Sequence, residues 1–525
     1  MGNYVLNGTE SLGIEFGSTR IKAILVDKDC NPIASGSHSW ENRLENGIWT
    51  YHTDDIWSGL QDAYRELNND CENKFGSKIT ELSSLGISAM MHGYMPFDKN
   101  GNLLVPFRTW RNTITYEAAS ILTKAFNFNI PQRWSIAHLY QAILNKESHI
   151  KDIYYLTTLE GYVHRMLSGK RVIGIGEASG MFPIDSETNQ YDAEMIKIFE
   201  NLDDVKTYNL KLKDILPEIL VAGDNAGFLT DEGAKLLDPS GVLKGGAVMC
   251  PPEGDAGTGM VATNSVTART GNVSAGTSIF SMIVLDKPLK SVYEEIDIVT
   301  TPAGLPVAMV HCNNCCTDLD YWVKLFGEFS QASGISLTKA QIYDLLYNEA
   351  LKGDADCGGL LSYNYFSGEP VTKTEKGRPL FIRTENCNFN LPNFFRAQIY
   401  SALATLKIGM ELLENENVKI DRITGHGGLF KTPIVGQRLL AGALNTPVSV
   451  METAGEGGAW GIAILARYAV DGNGERLEDY LENKIFSKYN SSTISPQQDD
   501  ALGFAEYMKL YKKGLSIEIK AAECI

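Results

Sequence analysis

The sequence predicts an α/β fold built from two copies of one domain. Three observations point there. A glycine-tipped apolar hairpin opens the chain, and a second hairpin of the same plan starts near residue 268. Each half then holds a later strand that runs straight into a glycine-rich turn.

The first hairpin is Leu12-Gly-Ile-Glu-Phe-Gly17, the turn Ser18-Thr19-Arg20, and an apolar run from Ile21 to Val26. Two short apolar runs around a small polar turn read as antiparallel strands, and a third run over 32–40 completes a meander. The second hairpin has a strand-like run over 268–275, the turn Gly276-Thr277-Ser278 and a second run over 279–285. The later junctions are Leu85-Gly-Ile-Ser-Ala89 into Met90-Met91-His92-Gly93, and Ile423-Thr424 into Gly425-His426-Gly427-Gly428. Apolar spacing predicts helices over 53–68, 319–329, 393–413, 437–443 and 501–515. No Pro-, Ser- or Gly-rich linker separates the halves, so the boundary is placed after the helix expected to follow Asp255, giving domains 1–262 and 263–525.

Composition narrows the function. A chain of 525 residues, 44% apolar and 21% charged, has material for large cores. At roughly 100–200 residues per domain it holds two to four domains. A net charge of -17 argues against nucleic acid as a partner, because a phosphate backbone needs a basic surface. No apolar run approaches the ~20 residues of a membrane helix, and the polar opening 1–11 lacks a signal pattern, so a cytoplasmic protein is expected. Nine scattered cysteines, an odd count, fit reduced thiols.

Familiar phosphate loops are missing. No G-x-x-x-x-G-K-[ST] occurs, and in Gly455-Glu-Gly457-Gly458-Ala-Trp460-Gly461 a tryptophan takes the place of the third dinucleotide glycine. The tips Gly17-Ser18-Thr19 and Gly276-Thr277-Ser278 offer backbone N–H groups and hydroxyls that suit an anion, although each alone is also an ordinary hairpin turn. Asp255 sits in Glu253-Gly254-Asp255-Ala256-Gly257, where it is either a helix N-cap or a carboxylate presented to substrate. Phosphoryl transfer needs positioning, charge neutralisation and a base for the acceptor's proton, which one such aspartate supplies.

The ordered set of motifs resembles the FGGY family of carbohydrate kinases, and within it the xylulokinases. Gly13-Ile-Glu-Phe-Gly-Ser-Thr-Arg-Ile-Lys22 is similar to the family's first phosphate motif. Met91-His92-Gly93 with Trp110-Arg111-Asn112 resembles the sugar-binding segment. Gly254-Asp255 resembles the catalytic motif, Gly276-Thr277-Ser278 the second phosphate motif, and Tyr365-Phe-Ser-Gly-Glu369 a further family segment. The residues 425–428 and 455–461 resemble the adenosine region.

The resemblance implies two RNase H-like domains of the actin, hexokinase and heat-shock ATPase superfamily, with a cleft between them. It implies transfer of the γ-phosphoryl group of ATP, with Mg2+, to a sugar hydroxyl, and a ketopentose such as xylulose as acceptor. Asp255 would be the general base and Met91, His92, Gly93 and Trp110 would meet the sugar. Gly17, Ser18, Thr19, Lys22, Gly276, Thr277 and Ser278 would hold phosphate, and Gly427, Gly428, Gly457 and Gly458 would line the adenosine site. Glu15 and Asp255 would serve the metal. A homodimer is admitted, although the sequence does not fix the oligomeric state.

The chain departs from the family pattern at Glu15, where aspartate is usual, at Ala256, where xylulokinases carry asparagine, and at His138 and Gln141, where lysine and tryptophan are favoured. These changes leave L-ribulose, L-xylulose, another ketose or a polyol open as acceptor, and a non-catalytic sugar-binding switch as the competing class. The group His311-Cys312-Asn-Asn-Cys315-Cys316 has the spacing of half a zinc site, but no second half exists, so these thiols read as packing at a strand-to-helix junction.

Overall fold

Strands β1 (Ser11–Phe16) and β2 (Arg20–Val26) pair antiparallel around the predicted turn, and β3 (Pro32–Ser39) continues the meander. Strand β4 (Ser84–Ala89) adds parallel to β1, in register from Ser11 opposite Ser84 to Phe16 opposite Ala89. Two short strands, β5 (Val248–Met249) and β6 (Glu253–Gly254), add parallel to β4. The order is β5-β4-β1-β2-β3, with β6 beside β5 on the same neighbour. Leu12, Ile14, Phe16, Leu85, Ile87 and Ala89 are all fully buried, as central strands covered on both faces require. The computed structural model describes residues 5–453 and 455–524, so the first four residues of the polar opening lie outside it.

Two glycines let a helix lie directly on this sheet. Gly13 and Gly86 face each other in the β1–β4 register. A Cβ on Gly13 would stand 2.1 Å from the Ala459 carbonyl oxygen, and one on Gly86 would stand 2.6 Å from Ile462 Cγ1. The helix Gly457–Asp471 therefore packs backbone to backbone against β1 and β4. The helix predicted over 53–68 runs on to Phe75, because Cys71 prolongs its buried face, and it stops at Gly76 in the left-handed conformation.

The second sheet repeats the plan. Strands β7 (Thr270–Ala275) and β8 (Ile279–Val284) form the second antiparallel hairpin. Strand β9 (Pro306–Cys312) lies beyond β8, and β10 (Arg422–Gly427) adds parallel to β7 in a six-residue register. Next come β11 (Val448–Met451), parallel to β10, and an antiparallel edge strand β12 (Ser491–Ile494). The order β9-β8-β7-β10-β11 repeats the connectivity of β3-β2-β1-β4-β5. The remaining predicted helices fall within Thr317–Ala332, Leu391–Asn415, Val435–Leu444 and Gln498–Cys524.

The chain divides into two compact units, but they are not two contiguous halves. The first crossing falls at Val266/Thr267 rather than at 262/263. Asp297–Val307 and Glu456–Lys488 then return to the first unit, the latter carrying the helix that Gly13 and Gly86 receive. Thr300 fixes the former by bonding to Ser179 and to the Ile175 carbonyl. No helix among the described residues is long and apolar enough to cross a membrane.

Candidate active site

In the first unit, β1, β4 and β6 end together. Their register brings Gly17, the turn after Ala89 and Asp255 to one edge of the sheet, since Phe16 and Gly254 both stand opposite Ala89. Ligands of open α/β sheets bind outside the carboxyl ends of the strands, and this is such an edge. Asp255 is the first residue of the helix Asp255–Ala262, and the N-cap is Gly254. It is therefore not a capping aspartate. Its Oδ1 instead accepts the Met91 N–H at 3.1 Å. The next amide, His92 N–H, donates to Glu177 Oε1 at 2.8 Å. Two carboxylates thus hold two consecutive N–H groups, and they hold His92 at φ 74°, a conformation costly for a residue with a side chain.

Glu15 lies beside Asp255. Its Oε2 accepts the Ala459 N–H at 3.1 Å, and a Cβ on Gly458 would stand 2.5 Å from its Oε1. Burial, and next the charge of Asp255, push the Glu15 carboxyl up to about 7. Burial also raises Asp255, against the lowering pull of the Met91 amide. Two mutually repelling carboxylates at one edge suit a divalent cation, which in phosphate chemistry is held by one or two carboxylates plus the phosphates themselves. Among the described residues no cluster of three or more ligating side chains forms a complete metal cage.

Behind this edge lies a set of carboxyls that sequence reasoning missed. Glu160, Glu177 and Glu253 are at most 1% exposed. Glu253 accepts the Gly176 N–H at 3.2 Å and the Glu177 N–H at 3.0 Å. Burial pushes Glu160 and Glu253 up to about 8 and Glu177 well above the usual range. Glu177 Oε2 and Glu160 Oε2 have no hydrogen-bond partner. The available signal was a lone glutamate inside the apolar, glycine-flanked run Val172-Ile-Gly-Ile-Gly-Glu177.

The other predicted residues separate. Met91 and His92 are buried beside Gly180, whose Cβ would meet both side chains, and the His92 ring stacks on Trp134. The Gly93 carbonyl accepts the Ser135 hydroxyl at 2.5 Å. Trp110 packs against the core, Arg111 stacks on the Trp49 ring at 3.7 Å, and Asn112 spends its amide on Trp49 and Thr109. His138 is fully buried and held near 3 by desolvation, hence neutral, and Gln141 bonds Ala118 and Asn145. Lys22 reaches the Glu456 carbonyl at 2.9 Å. Gly457 and Gly458 fall in this unit, by Glu15, and Gly427 and Gly428 belong to the second unit.

Both hairpin tips are held by their carbonyls. In the first, Trp40 Nε1 donates to the Gly17 carbonyl at 2.7 Å and the Tyr51 hydroxyl to that of Ser18 at 2.6 Å. The backbone N–H of Trp40 donates to Thr19 at 3.1 Å. In the second unit the Cys316 N–H donates to the Gly276 carbonyl at 2.9 Å and the Cys315 N–H to that of Thr277 at 3.0 Å. Gly276 lies beside exposed Gly427 and Gly428, because Ala275 stands opposite Gly427. Gly427 has φ 99°, and a Cβ there would stand 2.5 Å from the Ala275 carbonyl oxygen, so only glycine fits that approach.

Comparison with known proteins identifies the family. Residues 11–245 match the N-terminal domain, and residues 271–470 the C-terminal domain, of the FGGY family of carbohydrate kinases. A xylulose kinase of Haemophilus influenzae is 22% identical over 91% of this chain and 94% of its own. The solved xylulose kinase of Lactobacillus acidophilus superposes with a TM-score of 0.79 at 17% identity, over 97% of this chain and 98% of the other. A gluconate kinase from the same organism gives 0.78 at 17% identity, over 98% and 99%. The fold is thus that of sugar kinases of the actin, hexokinase and heat-shock ATPase type.

Proposed function

The chain belongs to the FGGY family of carbohydrate kinases, and from that premise we propose that it phosphorylates a ketopentose such as xylulose from ATP, with Asp255 as general base. The observation that carries this reading is the placement of Asp255 at the strand-end edge of its sheet, its Oδ1 tied to the Met91 amide beside His92. The acceptor hydroxyl lies against Asp255, which takes its proton as the γ-phosphoryl group arrives. Burial raises Asp255 toward the pKa range where a carboxylate accepts a proton most effectively. Met91 and His92 orient the sugar. Gly17, Ser18, Thr19 and Lys22 in one unit, and Gly276, Thr277 and Ser278 in the other, hold phosphate, with Gly427 and Gly428 by the adenosine. Mg2+, when bound, neutralises phosphate charge, and Glu15 and Asp255 are the side chains that would hold it. Under this reading the cleaner functional division follows the compact units and not the sequence boundary at 262/263.

A second acceptor class has specific support. The gluconate kinase fold matches as closely as the xylulose kinase fold, and Ala256 lacks a side chain able to bind a sugar hydroxyl. The test is ADP release across ketopentoses, polyols and aldonates, with wild type beside Asp255→Asn. Loss of a general base costs about a hundredfold to ten-thousandfold. An Asp255→Asn enzyme that keeps its rate would refute the assignment of the base. Release that no sugar stimulates would favour the switch reading.

A further inference from the structure

Beyond β9 the chain turns through Asn313, Asn314, Cys315 and Cys316, and this turn underpins the second hairpin tip. Cys315 and Cys316 supply the two amides that hold Thr277 and Gly276. Their Sγ atoms lie 3.5 Å apart. Cys315 is buried and Cys316 is partly open, so one sulfur is reachable and the other waits behind it. The turn is clamped from below. Buried Glu369 accepts the N–H groups of Asn313 at 2.9 Å and Asn314 at 3.3 Å, and Asn364 donates to the Cys315 carbonyl at 2.8 Å.

We propose that Cys315 and Cys316 form a reversible oxidation site that closes to a vicinal disulfide and releases the tip 276–278. The oxidant class is a small organic disulfide. The Cys316 thiolate attacks it, the reagent S–S bond breaks, and one half leaves as a thiolate. Cys315 Sγ attacks Cys316 Sγ, forming the new S–S bond, and its proton passes to the sulfur it expels, so the second half leaves as a thiol. Two protein thiols are oxidised and one reagent disulfide is reduced.

The geometry says why closure reaches the tip. Adjacent Cα atoms are held ~3.8 Å apart by a trans peptide, closer than the ~4.4–6.8 Å that disulfides ordinarily span. Closing the ring must therefore twist the peptide between the two residues. That peptide carries the Cys316 N–H, the donor to Gly276. Any effect on catalysis rests on the proposed phosphate-binding role of the tip, whereas the thiol chemistry does not.

The test treats the full chain with 2-hydroxyethyl disulfide and maps its peptides by mass spectrometry. The peptide holding both cysteines is expected to become lighter by two hydrogens and to recover with dithiothreitol. Hydrogen exchange at the Cys316 amide is expected to speed up. The KM for ATP is expected to rise about fivefold, the worth of one backbone hydrogen bond. In Cys316→Ser the ratio of treated to untreated activity should stay at one, while Cys387→Ser/Cys524→Ser should respond as wild type. Modification confined to Cys387 or Cys524, or a Cys316→Ser chain that responds like wild type, would overturn the proposal. A disulfide that opens the Cys316 amide yet leaves the ATP KM unchanged would uphold the thiol site and sink the phosphate role of the tip.

Discussion

The two sheets share one connectivity and arm it differently. At the first edge the turn after β4 is held by carboxylates, Asp255 on Met91 and Glu177 on His92. At the second, β10 ends and its turn begins in glycine, exposed at 427–428, with Gly427 pressed against Ala275. Position for position, Glu15 of β1 corresponds to Ser274 of β7, each next to last in its strand. One copy thus gathers buried carboxyls at its strand ends. The other offers bare backbone, which suits an anion. The two sheets share a frame, and they differ in what stands at their strand ends.

The largest test of this contrast is its response to pH. Glu160 and Glu253 ordinarily ionise near 4.5 and are pushed by burial up to about 8 in the first unit. The second unit buries Glu369, pushed by desolvation up to about 7. A raised carboxyl binds its proton in the folded state while the unfolded chain has lost it. Stability is therefore greatest below pH 4.5 for these groups and falls as pH rises through the window from 4.5 to about 8. Hydrogen exchange measured at pH 6 and pH 8 should show the first unit loosening more than the second. Glu160→Gln should flatten the slope of the first unit alone, by several degrees in Tm at the upper end. Equal slopes in both units would break the contrast.

Next in size is Trp40→Ala. Trp40 joins the first tip to the core through its indole bond to Gly17 and its stack on Tyr51 at 4.1 Å. Among the described residues no aromatic side chain takes that role at the second tip, where the Cys315 and Cys316 amides do the holding. Removal should cost ~3 kcal/mol, at the low end for a tryptophan because the ring is only partly buried. The loss should appear as a lower denaturant midpoint, with local exchange raised at 17–19 and unchanged at 276–278. Equal loosening of both tips would show that they are not supported independently.

What the sequence disclosed follows from which interactions are local. Hairpins with apolar flanks and small tips announce themselves, because their partners, from Ser11 opposite Val26 inward, lie close in sequence. The ends of β1 and β7 were legible for that reason. The buried glutamates were not, since a carboxylate ordinarily predicts surface, and only the apolar run around Glu177 betrayed it. Arg111 and Asn112 are tied to Trp49, which lies 63 residues before Asn112, a contact that no local pattern indicates. The return of Gly457–Asp471 to the first unit was equally hidden. The glycines that receive that helix, Gly13 and Gly86, look like ordinary strand glycines until the register brings them together.

The finest test separates the two kinds of support at the first tip. Tyr51 holds Ser18 by a single hydroxyl bond of 2.6 Å, while its ring is buried against Trp40. Tyr51→Phe keeps the ring and deletes the bond, so the Ser18 carbonyl is released with little change in packing. One such bond is worth ~1 kcal/mol, so stability should drop by about that much. If the tip holds phosphate, the KM for ATP should rise a fewfold with kcat nearly constant, because a positioning bond is lost and the base is untouched. Pairing this variant with Thr277→Ala, which removes a hydroxyl of the second tip, gives a double-mutant cycle across the two tips. Additive effects on KM would mean that each tip grips its anion alone. A coupling energy above ~0.5 kcal/mol would mean that both tips act on one ligand, because sites without shared partners add within that margin.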